Sequence, residues 1–169
     1  TNIVLDNIKQ TTNNVATAYL EENHKEFDNI EYAEQEIQID LGDGIMVNGR
    51  MDLIKKIDLD GNQRTTIIDF KSKKESQDQD ITMEQLSMYA LGYKELTGKT
   101  ADRLQIFNLD EDKNSKHTQR LDNSKIDEIK ERIITSANDI RDNKLQKSCP
   151  PTTCNTCWQR QLCSGVKAS

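Results

Sequence analysis

Asp52, Asp69 and Lys71 are the residues whose types and spacing point most directly to chemistry. They sit in two short apolar runs, Gly49-Arg50-Met51-Asp52-Leu53-Ile54 and Thr66-Ile67-Ile68-Asp69-Phe70-Lys71, joined by a polar turn. Acids and a lysine are costly to bury in such runs, so a chain that places them there has a use for them. Two carboxylates suit a hard divalent cation. A lysine beside them can hold or activate what that cation attacks.

The elements around these residues predict their geometry. Asp60-Gly61 is a favoured two-residue hairpin turn. With that pair at the tip, Leu59 faces Asn62, and counting outward sets Asp52 opposite Asp69. Directly opposed residues have Cβ atoms roughly 4.5–5.5 Å apart. Lys71 lies two residues beyond Asp69 and shares its face. A slip of one residue would undo the arrangement. The same three residues would also suit a solvated hairpin face carrying an Asp–Lys pair. Arg50, Lys55, Lys56, Lys71, Lys73 and Lys74 gather around the acids as a basic patch, of which Arg50, Lys73 and Lys74 are the candidates for a nucleic-acid backbone.

Downstream, 82–96 reads as an amphipathic helix with Met83, Leu86, Ala90 and Tyr93 as its apolar stripe and Thr82 as its N-cap. Gln85 and Tyr89 are four apart and stack on one flank. Taken together, Gly49-Arg50-Met51-Asp52, Ile68-Asp69-Phe70-Lys71-Ser72 and Gln85-Leu86-Ser87-Met88-Tyr89-Ala90 resemble the RecB-like branch of the PD-(D/E)XK nucleases, over roughly 34–163. The resemblance implies a metal-dependent DNA nuclease using Mg²⁺ or Mn²⁺. Asp52, Asp69 and the Phe70 carbonyl would hold the cation, with Glu34 or Glu36 as a further ligand for metal or substrate. Lys71 would position or help deprotonate the attacking water. Gln85 would hold Lys71 or the scissile phosphate, and Tyr89 the strand backbone. The family's usual setting implies DNA as partner, an N-terminal helicase region or partner subunit, and a cytoplasmic, nucleoid-associated location. A catalytically silent DNA-binding or scaffold module on the same fold is the alternative.

Cys149, Cys154, Cys157 and Cys163 are all the cysteines of the chain and lie in its last segment. Clustered thiolates at this spacing suit one metal centre, [4Fe–4S] or Zn²⁺, more than a disulfide framework. The Cys154, Cys157 and Cys163 portion looks like the C-terminal cluster of iron–sulfur members of the nuclease family. Those members draw a fourth cysteine from upstream, where this chain has none, which leaves three expectations open: Cys149 as a local fourth ligand, a fragment whose upstream ligand is missing, or a metal-free tail of reduced thiols. The family also carries a metal-binding histidine on an N-terminal helix. The two histidines here are His24, near the end of the first helix, and His117, expected in a charged loop. The expectation is therefore that the chain begins after the family histidine.

Across its 169 residues the chain is 31% charged and 34% hydrophobic, which suits one domain with a modest core. The net charge of −6 does not by itself suggest a nucleic-acid binder, so the local basic residues carry that expectation. No apolar run is long enough to cross a membrane. Apolar periodicity predicts a helix over 2–27 with Val4, Ile8, Val15, Tyr19 and Leu20 as its face, and strands over 32–41, 45–57, 65–71 and 103–109. A last helix over 124–144 would be capped by Ser124 and striped by Ile126, Ile129, Ile133, Ile134, Ala137 and Ile140. The fold class expected is α/β: a restriction-endonuclease-like core with a mixed central sheet flanked by helices. Residues 1–147 would form the nuclease domain, and 148–169 a Cys-rich tail packed on it.

Overall fold

Two successive left-handed residues, Asp60 (φ 56°) and Gly61 (φ 77°), make the tight hairpin turn that an Asp-Gly pair favours. In the computed structural model, which describes residues 2–72, 79–109 and 114–144, this turn joins β2 (Met46–Leu59) to β3 (Asn62–Lys71). Leu59 faces Asn62, and the register runs without a slip to Leu53 opposite Ile68. A second hairpin links β1 (Ile30–Asp40) to β2. There Gly42, Asp43 and Gly44 all have positive φ, and the Gly42 amide donates to Asp40 Oδ1 at 2.8 Å.

Beyond β3 the chain crosses over through α2 (Gln79–Thr97) and returns as β4 (Arg103–Asn108), parallel to β3. A parallel neighbour requires such a crossover. β5 (Ser115–Arg120) then pairs antiparallel with β4, completing a mixed five-stranded sheet in the order β1-β2-β3-β4-β5. The mixed sheet with flanking helices is the expected α/β, restriction-endonuclease-like architecture. The other helices among the described residues are α1 (Asn2–Asn23), followed by a 3-10 helix over His24–Asn29, and α3 (Asn123–Arg141).

The core has two parts. Ile37, Ile39, Met51, Ile54, Ile67, Leu104 and Ile106 of the sheet pack with Leu86, Tyr89, Ala90 and Tyr93 of α2 and with Ile126 of α3. Burying each large side chain of this kind contributes about 1.5–3 kcal/mol relative to exposure. On the other face Leu53, Ile68 and Phe107 meet Tyr19 of α1, Phe70 and Leu109. The Tyr19 ring stands edge-on to Phe70 and Phe107, with centroids 5.3 and 5.2 Å away.

Several expectations change. The first helix ends at Asn23 and tightens into the 3-10 helix. Its expected apolar face is divided, with Val15 and Tyr19 half-buried and Val4, Ile8 and Leu20 exposed. Thr82 lies inside α2 and is buried, so it is not the cap. α3 begins at Asn123, and Asp122 is its capping side chain, taking the amide and hydroxyl of Ser124 at 3.0 and 2.8 Å. Of the predicted α3 stripe, Ile126 is buried and Ile140 is exposed. His117 belongs to β5, a strand the sequence did not announce because its side chains are polar and mostly exposed. The chain divides into two compact units, Thr1–Ile134 and Thr135–Ser169. The described part of the second unit is helical to Arg141 and closes with Lys144 N bonded to Asp139 O at 2.7 Å. Lys73, Lys74 and the four cysteines lie outside the described residues, as does the whole of 148–169.

No helix among the described residues is long and apolar enough to cross a membrane.

Candidate active site

β3 alternates regularly: Ile67 belongs to the α2-side cluster, Ile68 and Phe70 to the α1 side. Asp69 and Lys71 therefore project toward α2. Lys71 Nζ is 2.8 Å from Asp69 Oδ2, with side-chain exposures of 19% and 6%. The contact is an ion pair off the ideal hydrogen-bond axis, and no other donor among the described residues reaches this buried oxygen. The other such atom is Thr66 Oγ1, a neutral hydroxyl that is cheaper to leave unpaired. Burial raises the Asp69 carboxyl above its ordinary range. Lys71 pulls it back down and the Asp52 charge pushes it up.

Asp52 reaches this centre by a different route. The register places it one step beyond the last β2–β3 pair, where the strands part. β2 turns over at this step, since Met51 belongs to the α2-side cluster and Leu53 to the α1-side cluster although they are two residues apart. Asp52 Oδ2 then accepts the Phe70 amide at 2.8 Å in place of a ladder carbonyl. Counting from the turn thus predicts the level of Asp52 correctly. What counting cannot see is that the carboxylate bonds backbone at the parting of two strands.

Past this point the β1–β2 hairpin arm leaves β3 and closes on α2. Two glycines permit the approach. A Cβ on Gly49 would stand 3.0 Å from the Tyr89 ring, and one on Gly92 would collide with the Ile37 side chain. Tyr89 is buried, and its hydroxyl receives the Gln85 amide at 2.6 Å. The expected stacking of Gln85 on Tyr89 is therefore a direct hydrogen bond. The glycines under it were not singled out in the sequence, although Gly49 opens one motif and Gly92 follows another by two residues.

The remaining candidates lie elsewhere. Arg50 pairs with Glu34 at 2.9 Å, both side chains being more than 60% exposed. Gly49 faces Tyr89, so Arg50 and its partner Glu36 project from the opposite face. Glu36, Gln38, Asn48 and Arg50 line an open polar hollow there. Lys55 does not join a basic patch: it is 2% exposed and bound to Glu26 at 3.3 Å, with its ammonium 5.9 Å from the Tyr19 ring centroid. Lys56 is engaged by Glu31 at 3.5 Å. His24 is exposed, its Nδ1 3.0 Å from the Glu21 carbonyl.

The donor set fits a hard cation in one respect, a buried carboxylate oxygen met by Lys71 and by no other donor among the described residues, beside a second carboxylate. Among the described residues no three His, Cys, Asp or Glu side chains converge on one point. The protein's contribution would thus be Asp52, Asp69 and the Phe70 carbonyl.

Comparison with known proteins bears on the family and the fold. The sequence model of the PD-(D/E)XK nuclease superfamily matches residues 4–164. No curated protein matches the chain significantly in sequence. Among solved structures, that of SSO0001 is similar at a TM-score of 0.52 and 18% identity over 90% of this chain. A proposed exonuclease from Eubacterium rectale is similar at a TM-score of 0.50 and 13% identity over 90%. The chain spans 67% and 60% of those two proteins, and at these identities the likeness is one of fold. The match along nearly the whole sequence establishes that this chain belongs to the PD-(D/E)XK nuclease superfamily.

Proposed function

We propose that the chain is a RecB-like nuclease domain that hydrolyses DNA phosphodiesters with Mg²⁺ or Mn²⁺, as the nuclease module of a larger helicase–nuclease. The observation that carries this is the nearly buried Asp69 carboxylate, whose Oδ2 is met at 2.8 Å by the Lys71 ammonium and by no other donor among the described residues, with the Asp52 charge beside it. A bound divalent cation would supply Lewis-acid polarisation of the phosphate and a more acidic water. Asp52, Asp69 and the Phe70 carbonyl would hold it. Lys71 is half-buried on the same face as Asp69 and can turn its ammonium from the carboxylate to the phosphoryl oxygens and the attacking water. Gln85, fixed by the Tyr89 hydroxyl, orients an amide on the α2 side of that face. Exposed Arg50, with Lys73 and Lys74 outside the described residues, would steer the strand backbone. The four tail cysteines enter this reading as holders of a cluster or Zn²⁺ that serves stability, which iron, sulfide and zinc analysis decides.

The test is cleavage of end-labelled single- and double-stranded DNA and RNA in Mg²⁺ or Mn²⁺. Wild-type protein should cleave DNA, and excess EDTA or Asp69→Ala should stop it. Cleavage that survives EDTA sinks the reading. A second reading, a silent module that binds DNA, is favoured by the lack of a third converging carboxylate or histidine among the described residues. DNA binding without single-turnover cleavage in Mn²⁺ would establish that one instead.

A further inference from the structure

We infer that Glu34 is a positioning residue for this site and acts through its backbone: its left-handed conformation turns β1 over, and with it β2, at the step that aims Asp52 at the Phe70 amide. The inference rests on the proposed nuclease reading for its activity readout alone.

Glu34 has φ 51°, inside a strand of eleven residues. A side chain other than glycine, asparagine or aspartate seldom takes this conformation, and inside a strand it breaks the two-residue alternation. The break is visible on both sides of the residue. Tyr32 packs on the α2-side cluster, and so do Ile37 and Ile39, although an even and an odd residue of a regular strand face opposite ways. The neighbouring strand reverses at the matching step. Ala33 pairs with Leu53 and Gln35 with Met51, so the step between these pairs sets Glu34 across from Asp52. Met51 and Leu53 belong to clusters on opposite faces. No residue is inserted in either strand across this step, so the two strands roll together instead of one bulging past the other.

β3 does not roll. Ile67 and Ile68 keep strict alternation into Phe70, and the β2–β3 ladder stops at Leu53–Ile68. The Phe70 amide is left without a ladder carbonyl, and Asp52 Oδ2 fills the place at 2.8 Å. The left-handed step is thus the local cause of three features: the parted strands, the in-plane Asp52 carboxylate, and the arm that closes Gly49 on Tyr89. The Glu34 carboxylate, meanwhile, is held by Arg50 at the surface at 2.9 Å. Its charge is engaged away from Asp69, and its backbone is what the site uses.

The experiment is a series at one position read by amide hydrogen exchange of Phe70 together with steady-state cleavage. Glu34→Gly and Glu34→Asn discard the charge but accept a positive φ. Glu34→Ala accepts it less well, and Glu34→Val resists it. Phe70 protection should follow that order, with exchange about tenfold faster in Glu34→Val than in Glu34→Gly, as the left-handed penalty of a side chain implies. The amides of the intact ladder around Lys55 and Thr66 should stay unchanged. kcat should fall with Phe70 protection while KM stays near its wild-type value. If Glu34→Val does not fold, the Asn and Ala variants decide the order between them. Loss of Mn²⁺ affinity and cleavage in Glu34→Gly and Glu34→Asn, with Phe70 protection intact, would overturn the inference in favour of a carboxylate ligand. Unchanged Phe70 exchange across the series would overturn it outright. Should the wild type cleave nothing, the exchange series still tests the inference, and the nuclease reading alone fails.

Discussion

The two hairpin lysines with a carboxylate partner and little exposure, Lys55 and Lys71, sit on neighbouring strands and opposite faces of the sheet. Their surroundings differ in kind. Lys55 on β2 is 2% exposed, yet its ammonium has a carboxylate at 3.3 Å and an aromatic face at 5.9 Å. α1, the 3-10 helix and β2 meet around it, and its charge is answered. Lys71 on β3 is 19% exposed and pairs with an acid still more buried than itself, one of whose oxygens is met by no other donor among the described residues. The first pair closes a structure. The second leaves electrostatic demand unmet in a place where the sheet has parted, which is what a cation and a phosphate would satisfy. Burial of a charge is thus a poor sign of function; a buried charge incompletely answered is a better one.

The comparison breaks most readily on activity. Lys71→Ala should lower cleavage by at least about a hundredfold, the scale for losing a preorganised charge at a reacting group. Lys55→Met keeps the length and burial of the side chain and should leave cleavage within about twofold of wild type, since uniform loss of a remote contact does not touch the transition state. Equal losses in the two variants, measured as kcat/KM on the same DNA, would erase the distinction.

Stability should separate them in the opposite sense. Glu26→Ala strands the Lys55 ammonium in the interior. Breaking a wholly buried pair costs about 3–5 kcal/mol. Glu26 is 46% exposed, and water can reach the site, so about 1–3 kcal/mol is expected. Denaturant unfolding of Glu26→Ala and of the double variant Glu26→Ala/Lys55→Met checks it. The double variant should recover most of the loss, because the uncompensated charge is gone.

How far the sequence announces this contrast depends on what kind of information each part uses. The Asp52–Asp69 level was legible because an Asp-Gly turn sets register and register propagates by counting. The Gln85–Tyr89 contact was legible because helix spacing sets it. Lys55 was misread as part of a basic patch, since a lysine's burial is decided by α1 and the 3-10 helix, which arrive from elsewhere in the chain. The roll at Glu34 and Asp52 left no trace in the sequence, because Met51, Leu53 and Ile54 would all be buried on a regular strand of a sheet covered on both faces as well. β5 escaped because an edge strand with polar side chains owes its existence to β4's backbone, not to its own pattern.

The smallest expected effect is also the one that separates the two lysines by sign. Burial, and then the Asp52 charge, raise the Asp69 carboxyl above its unfolded value, and Lys71 only partly offsets them. The folded state therefore holds that proton to a higher pH than the unfolded state. The stabilising contribution of protonated Asp69 is fully present below the unfolded carboxylate range and is lost as pH rises through the raised folded value. At neutral pH the ionised Asp69 thus works against folding, so Asp69→Asn should melt higher than wild type. The gap should narrow on acidification toward the ordinary aspartate range. Mn²⁺ should raise the melting temperature of the wild type by answering the same charge, and should leave Asp69→Asn nearly unmoved. At the other pair, loss of charge at Glu26 lowers the melting temperature, and Mn²⁺ should restore none of it. A cation that stabilised Glu26→Ala more than wild type, or an Asp69→Asn protein that melted lower at neutral pH, would mean that the Asp69 charge is as fully answered within the fold as that of Lys55.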